Sequence, residues 1–161
     1  LEPMDINELI NLLRMACRDL EAEFGDEFLG LMLFGSWARG EAREDSDVDL
    51  LILFNTLRGL EVRARAYEVL KRFIKRDITL IDMRRNELRG RLTALAINMA
   101  WDGIIICDKN GDLKQFKESV IRFIESEGLI RYRTRDGKYG WMRADGKPMI
   151  KSVRTDVRPN R

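Results

Sequence analysis

Gly35-Ser36-Trp37-Ala38-Arg39-Gly40-Glu41-Ala42-Arg43-Glu44-Asp45-Ser46-Asp47-Val48-Asp49-Leu50-Leu51-Ile52 joins two apolar runs, Phe28 to Phe34 before it and Val48 to Phe54 at its end. Each run reads as a buried strand, and Gly35-Ser36 as a turn that can open a short helix. The first N–H groups of a helix have no partner inside it, so such a turn can hold phosphate oxygens, with the Ser36 hydroxyl as a further donor. Gly35 lacks the Cβ that would block close approach. Asp47 and Asp49, two residues apart at the mouth of the second strand, point to one face. Two converging carboxylates with room for water and phosphate suit Mg²⁺. An acidic pair at the mouth of a buried strand is costly unless a cation binds it. A phosphate cradle beside a metal site is an arrangement for nucleoside triphosphate chemistry.

Outward from this stretch the chain alternates helical and strand patterns. Asp5, with Glu8 three residues on, opens a helix whose apolar positions are Ile6, Leu9, Ile10, Leu13, Cys17, Leu20 and Phe24. Leu57 to Arg76 reads as a second amphipathic helix with Leu60, Ala64, Tyr67, Leu70 and Ile74 on one stripe. Asp77 to Met83 reads as a third strand, Asn86 to Trp101 as a helix, Ile104 to Cys107 as a fourth strand and Asp112 to Ser126 as a last helix. Strands interleaved with helices without a regular βαβ repeat predict an α+β fold, a small mixed β-sheet flanked by helices. The expected division is a domain over residues 1–110 and a C-terminal helix with a basic β-hairpin extension over 111–161.

The 161 residues carry 29 Lys and Arg, 27 Asp and Glu, and no His. Without imidazole, Ser-His-Asp and Cys-His centres are excluded, so acid–base chemistry falls to carboxylates, Lys, Tyr or a metal. With two Cys, a structural zinc site is not expected. Cys17 and Cys107 lie in apolar surroundings and read as buried free thiols of a reducing, cytoplasmic compartment, with a single disulfide as the other option. No signal peptide is expected, nor a membrane span, since no apolar run approaches roughly 20 residues. A homo-oligomer is left open.

The net charge of +2 hides an asymmetry. Residues 131–161 hold ten basic and three acidic residues, a balance of +7, which leaves the first 130 residues at −5. Leu129 to Thr134 and Tyr139 to Met142, joined through Asp136-Gly137, predict a hairpin with a type I′ turn. Ser152 to Arg161 has little apolar content and reads as disordered. Arg131, Arg133, Arg135, Lys138 and Arg143 interleave with Tyr132, Tyr139 and Trp141. Such a surface can bind RNA through phosphates and stacking, or can pack its aromatics on the acidic body.

The Gly35-Ser36 … Asp47-x-Asp49 pattern, with Ala38-Arg39-Gly40 and Ser46 to Leu50, resembles the signature of the DNA polymerase β-type nucleotidyltransferase superfamily, and within it the minimal nucleotidyltransferase (MNT) branch. The resemblance is carried by residues 34–54 and extends in strand and helix order to about residue 108. It implies that Gly35 and Ser36 bind the triphosphate of ATP or another NTP, and that Asp47 and Asp49 ligate Mg²⁺, with two ions. A third carboxylate on a following strand would complete the metal site and help deprotonate the acceptor. Asp77 is the match and Asp82 its rival. Arg39 either holds phosphate or pairs with Glu41 or Asp45, and Trp37 either stacks on a base or is an exposed or partly packed helix residue. Members of this branch pair with a HEPN-type protein as antitoxin and toxin, adding AMP to a tyrosine of the partner. The toxin's own RNase motif needs a histidine, so such a partner is a separate chain. The expected activity is therefore Mg²⁺-dependent transfer of a nucleoside monophosphate, AMP in the family's pattern, to a hydroxyl. A non-catalytic nucleotide- or RNA-binding protein is the alternative.

Overall fold

The computed structural model describes residues 4–90 and 92–147. The expected disorder of Ser152 to Arg161 lies outside the described residues. Four strands, β1 (Phe28–Phe34), β2 (Val48–Phe54), β3 (Ile78–Arg84) and β4 (Ile104–Asp108), form one mixed sheet in the order β3-β2-β1-β4. β2 and β3 are parallel; β1 is antiparallel to both β2 and β4. Every residue of β1 is buried, which accounts for its unbroken apolar sequence.

Helices cover both faces. α1 (Ile6–Phe24) and α3 (Leu60–Phe73) pack with Leu31, Leu33, Leu50 and Ile52 on one side. α4 (Ala94–Asp102) and α5 (Asp112–Glu127) pack with Met32, Phe34, Leu51 and Leu53 on the other. α1 starts where its sequence predicts, with the Asp5 carboxylate accepting from the Glu8 amide at 2.9 Å. Between β1 and β2 lies the short α2 (Gly35–Arg39). β5 (Leu129–Arg133) and β6 (Tyr139–Arg143) form a separate two-stranded hairpin. The α+β architecture is as expected. Among the described residues no helix is long and apolar enough to cross a membrane.

Four expectations need correction. The buried stripe of α3 is Ala66, Val69 and Leu70, with Ile74 at its cap, whereas Leu60 is 86% and Tyr67 38% exposed. Asn86 to Trp101 is not one helix. A 3₁₀ turn over Arg85–Arg89 stops at Gly90, and Thr93 opens α4 by accepting the Ala96 amide at 3.1 Å. The hairpin turn is not type I′, because Gly137 has φ 83° but no non-glycine residue has positive φ. Instead Thr134 accepts the Gly137 amide, and its hydroxyl bonds the Asp136 carboxylate.

The fourth correction concerns the cysteines. Cys17 and Cys107, expected as free thiols, form a disulfide that joins α1 to the edge strand β4. It borders an open cavity of about 440 Å³ with Arg18, Glu21 and Lys109 on its walls. With a sequence separation of 90 between the cysteines, chain-entropy arguments give the bond roughly 4–5 kcal/mol. Treatment with a small thiol is expected to lower Tm by about 10 °C in a thermal melt, with no loss of the folded far-UV CD spectrum at room temperature.

Candidate active site

Gly35 begins α2 with φ +74°, a conformation that favours glycine. A β-carbon there would overlap the Asp49 carboxylate and come within 2.8 Å of its Cγ. The turn and the second aspartate are therefore in direct apposition. β1 and β2 produce this by pairing Phe34 with Asp49 in the antiparallel register, so the end of one strand meets the start of the other. The Ser36 hydroxyl has no hydrogen-bond partner among the described residues and remains free to donate to a ligand.

Asp47 immediately precedes β2 and is exposed; Asp49 is half-buried. The parallel register sets Thr79 of β3 beside Asp49, and the Thr79 hydroxyl donates to Oδ2 of Asp47 at 2.9 Å. Burial, and then the charge of Asp47, pushes Asp49 up to about 6, although Thr79 and the Arg39 charge pull the other way. Two neighbouring carboxylates, Asp49 among them with a raised proton affinity, fit a hard divalent cation, which takes one or two carboxylates plus phosphate oxygens.

Asp77 lies just ahead of β3 and is exposed, its backbone carbonyl accepting the Val48 amide at 2.8 Å. The structure brings Gly35, Asp47, Asp49 and Thr79 together. Among the described residues no group of three or more carboxylates or thiols is spaced to hold a metal, so Asp77 does not join Asp47 and Asp49 in such a group. Asp82 is occupied elsewhere, paired with Arg63 at 3.0 Å and Arg84 at 2.7 Å. Trp37 is buried and donates to the Ser46 carbonyl at 3.4 Å, so it packs inside. Asp45 is exposed.

Arg39 is engaged by protein carboxylates, Glu41 at 3.0 Å and Asp102 at 3.1 Å. The Arg39 hydrogen bond, followed by that of the Tyr139 hydroxyl, holds Glu41 below the usual carboxylate range. Two of the three hairpin aromatics, Tyr139 and Trp141, also turn inward, while Tyr132 stays exposed. Trp141 is buried, donates to Asn98 at 2.8 Å and meets Trp101 edge to face. Thr79 and Asp102 were not singled out from the sequence, and Tyr139 only as part of the basic, aromatic hairpin, because only the β2–β3 register and the docking of the hairpin bring them here.

The family model described as "Polymerase beta, Nucleotidyltransferase" matches residues 22–112. A Methanocaldococcus jannaschii protein provisionally named a protein adenylyltransferase is 44% identical over 54 residues, 34% of this chain and 37% of its own. The Thermococcus cleftensis protein adenylyltransferase MntA is 39% identical over 57 residues, 35% of this chain and 56% of its own. The matches thus span about a third to a half of these relatives. A toxin–antitoxin crystal structure with AMP-PNP aligns with TM-score 0.51 at 22% identity, covering 76% of this chain and 89% of that one, a likeness of fold.

Two outcomes follow for this geometry. Gly35→Ala is expected to cost about 2 kcal/mol in chemical denaturation, since the methyl must displace Asp49 and the backbone must leave positive φ. For metal-free protein, the raised value of Asp49 means the folded state binds its proton more tightly than the unfolded chain. That contribution to stability is complete below the ordinary value of 3.8 and lost as pH rises through about 6. Asp49→Asn is therefore expected to stabilise metal-free protein at about pH 7.5 by on the order of 1 kcal/mol, discounted for solvent screening, and to lose that advantage near about pH 4.

Proposed function

This chain belongs to the polymerase β-type nucleotidyltransferase family, and from that premise we propose that it transfers a nucleoside monophosphate, AMP, from ATP to a hydroxyl acceptor. The observation that carries the reading is the Asp49 carboxylate packed against Gly35, with Asp47 beside it on the Thr79 hydroxyl. A triphosphate laid on the Gly35–Ser36 turn would lie next to both carboxylates.

Asp47 and Asp49 would hold Mg²⁺, two ions in the family's pattern. When bound, the metal supplies positive charge to the triphosphate and makes the acceptor hydroxyl more acidic. The protein contributes placement. Ser36 and the turn amides orient the phosphates, Thr79 holds Asp47, and Gly35 keeps the approach to Asp49 clear. The acceptor oxygen bonds to the α-phosphorus as the bond to the departing pyrophosphate breaks. Asp77, exposed just ahead of β3, is the carboxylate we assign to take the acceptor's proton. Arg39, already held by two carboxylates, braces the loop in this reading. Catalysis is positioning and charge neutralisation, which needs no histidine.

The names of the adenylyltransferase relatives support a protein acceptor, and the toxin–antitoxin fold neighbour supports an antitoxin role; the family resemblance makes that acceptor a tyrosine of a HEPN-type partner. RNA binding by residues 131–161 finds less support. Arg131 and Arg143 are paired with internal carboxylates, and Tyr139 and Trp141 face the body.

The test is incubation with ATP, Mg²⁺ and a HEPN-type partner, reading pyrophosphate release and the gain of one AMP mass on the partner. Asp49→Asn is expected to lower turnover by at least about 100-fold while keeping the fold. Turnover like that of the unmodified chain would overturn the assignment.

A further inference from the structure

The C-terminal hairpin reaches back to the active-site loop through a closed ring of five side chains. Arg131 of β5 donates two hydrogen bonds to Asp102, at 2.8 and 2.6 Å. Asp102 also accepts from Arg39 at 3.1 Å, and Arg39 donates to Glu41 at 3.0 Å. Glu41 accepts from the Tyr139 hydroxyl at 2.9 Å, and Arg131 lies 4.0 Å over the Tyr139 ring. The contacts therefore return to their starting point. Two cations and two carboxylates balance, and the Asp102 side chain is only 6% exposed. The buried Asp102 carboxylate depends on both Arg39 and Arg131, and Arg39 in turn is held through Glu41 to Tyr139, so the contacts hold one another.

What the ring holds is the loop between Ser36 and Asp47. α2 has five residues, too few to be stable by itself. Its first residue rests against Asp49, and its last is Arg39. The chain then passes Gly40 to Glu41, tied to the hairpin, and finishes at Ser46, whose carbonyl is held by Trp37. The end of α2 and the start of this loop are thus fixed by groups more than 60 residues away in sequence.

We propose that the C-terminal hairpin is a clamp that sets the spacing between the Gly35–Ser36 turn and Asp47, and so sets the affinity for nucleoside triphosphate, with Asp102, Arg131 and Tyr139 as positioning residues. This rests on the nucleotidyltransferase reading. The basic surplus of the tail then has an intramolecular use, because Arg131 holds the carboxylate that holds Arg39.

The full-length chain is titrated with ATP and Mg²⁺ by calorimetry, with Tm measured in parallel. Tyr139→Phe keeps the ring beneath Arg131 and removes only the bond to Glu41; Arg131→Lys keeps the charge and removes the two-pronged grip on Asp102. Each is expected to weaken ATP binding about 3–10-fold while Tm moves by less than about 3 °C. KM for ATP should rise by the same factor, with kcat at saturating ATP changing less than about twofold. Tyr132→Phe, whose exposed ring lies on the other face of the hairpin, should bind as the unmodified chain does. If the unmodified chain binds ATP and both ring variants bind equally well, the clamp is overturned and the nucleotidyltransferase reading stands. A fall in affinity only in proportion to lost folded protein also overturns the clamp. If the unmodified chain binds no ATP in the presence of Mg²⁺, the reading beneath it fails.

Discussion

The contact between Gly35 and Asp49 is the constraint around which the molecule is arranged. It requires β1 and β2 to be antiparallel neighbours in a register that sets Phe34 opposite Asp49. It also requires a residue without a side chain at the point where β1 gives way to α2. Both strands sit in the middle of the sheet, with helices on each face, so the carboxylate is carried on the most deeply buried elements of the fold. Burial gives Asp49 its raised proton affinity, and that energetic discomfort is what a bound cation would relieve. A rigid core and a reactive edge are two aspects of one register.

Much of this was legible before any coordinates. The strands β1 and β2 run over the residues their apolar runs predict, and the Asp5 cap starts α1 where expected. Such features are local: they follow from periodicity, caps and a glycine at a strand end. Arg39 reads as ambiguous between phosphate and bracing, and the structure pairs it with Glu41 and Asp102. Where the reading failed, the missing information was non-local. The α3 stripe depends on how close α1 approaches, and the split before α4 on Gly90 with a new cap at Thr93. Thr79 joins the aspartates only because β2 and β3 are parallel and in register. The disulfide needs the spatial proximity of α1 and β4, which no spacing of two cysteines reveals.

Charge shows the same division between count and placement. The last 31 residues carry a balance of +7, which by composition alone suggests an external polyanion. Within the described hairpin, Arg131 and Arg143 are spent on Asp102, Glu127 and Asp145. Two of the three aromatics that could stack on bases, Tyr139 and Trp141, stack instead on Arg39, Arg131 and Trp101. Basic and acidic segments here complement one another within one chain.

The bond between Cys17 and Cys107 divides the chain topologically. Residues 17–107 become a covalent loop that contains Gly35, Ser36, Asp47, Asp49, Asp77 and Asp102, while the hairpin hangs outside it. A single backbone cut in the exposed connection over residues 55–59 would leave every one of those groups on one oxidised molecule. A cut in the turn over residues 135–138 would sever β6, and with it Tyr139, from the loop it grips.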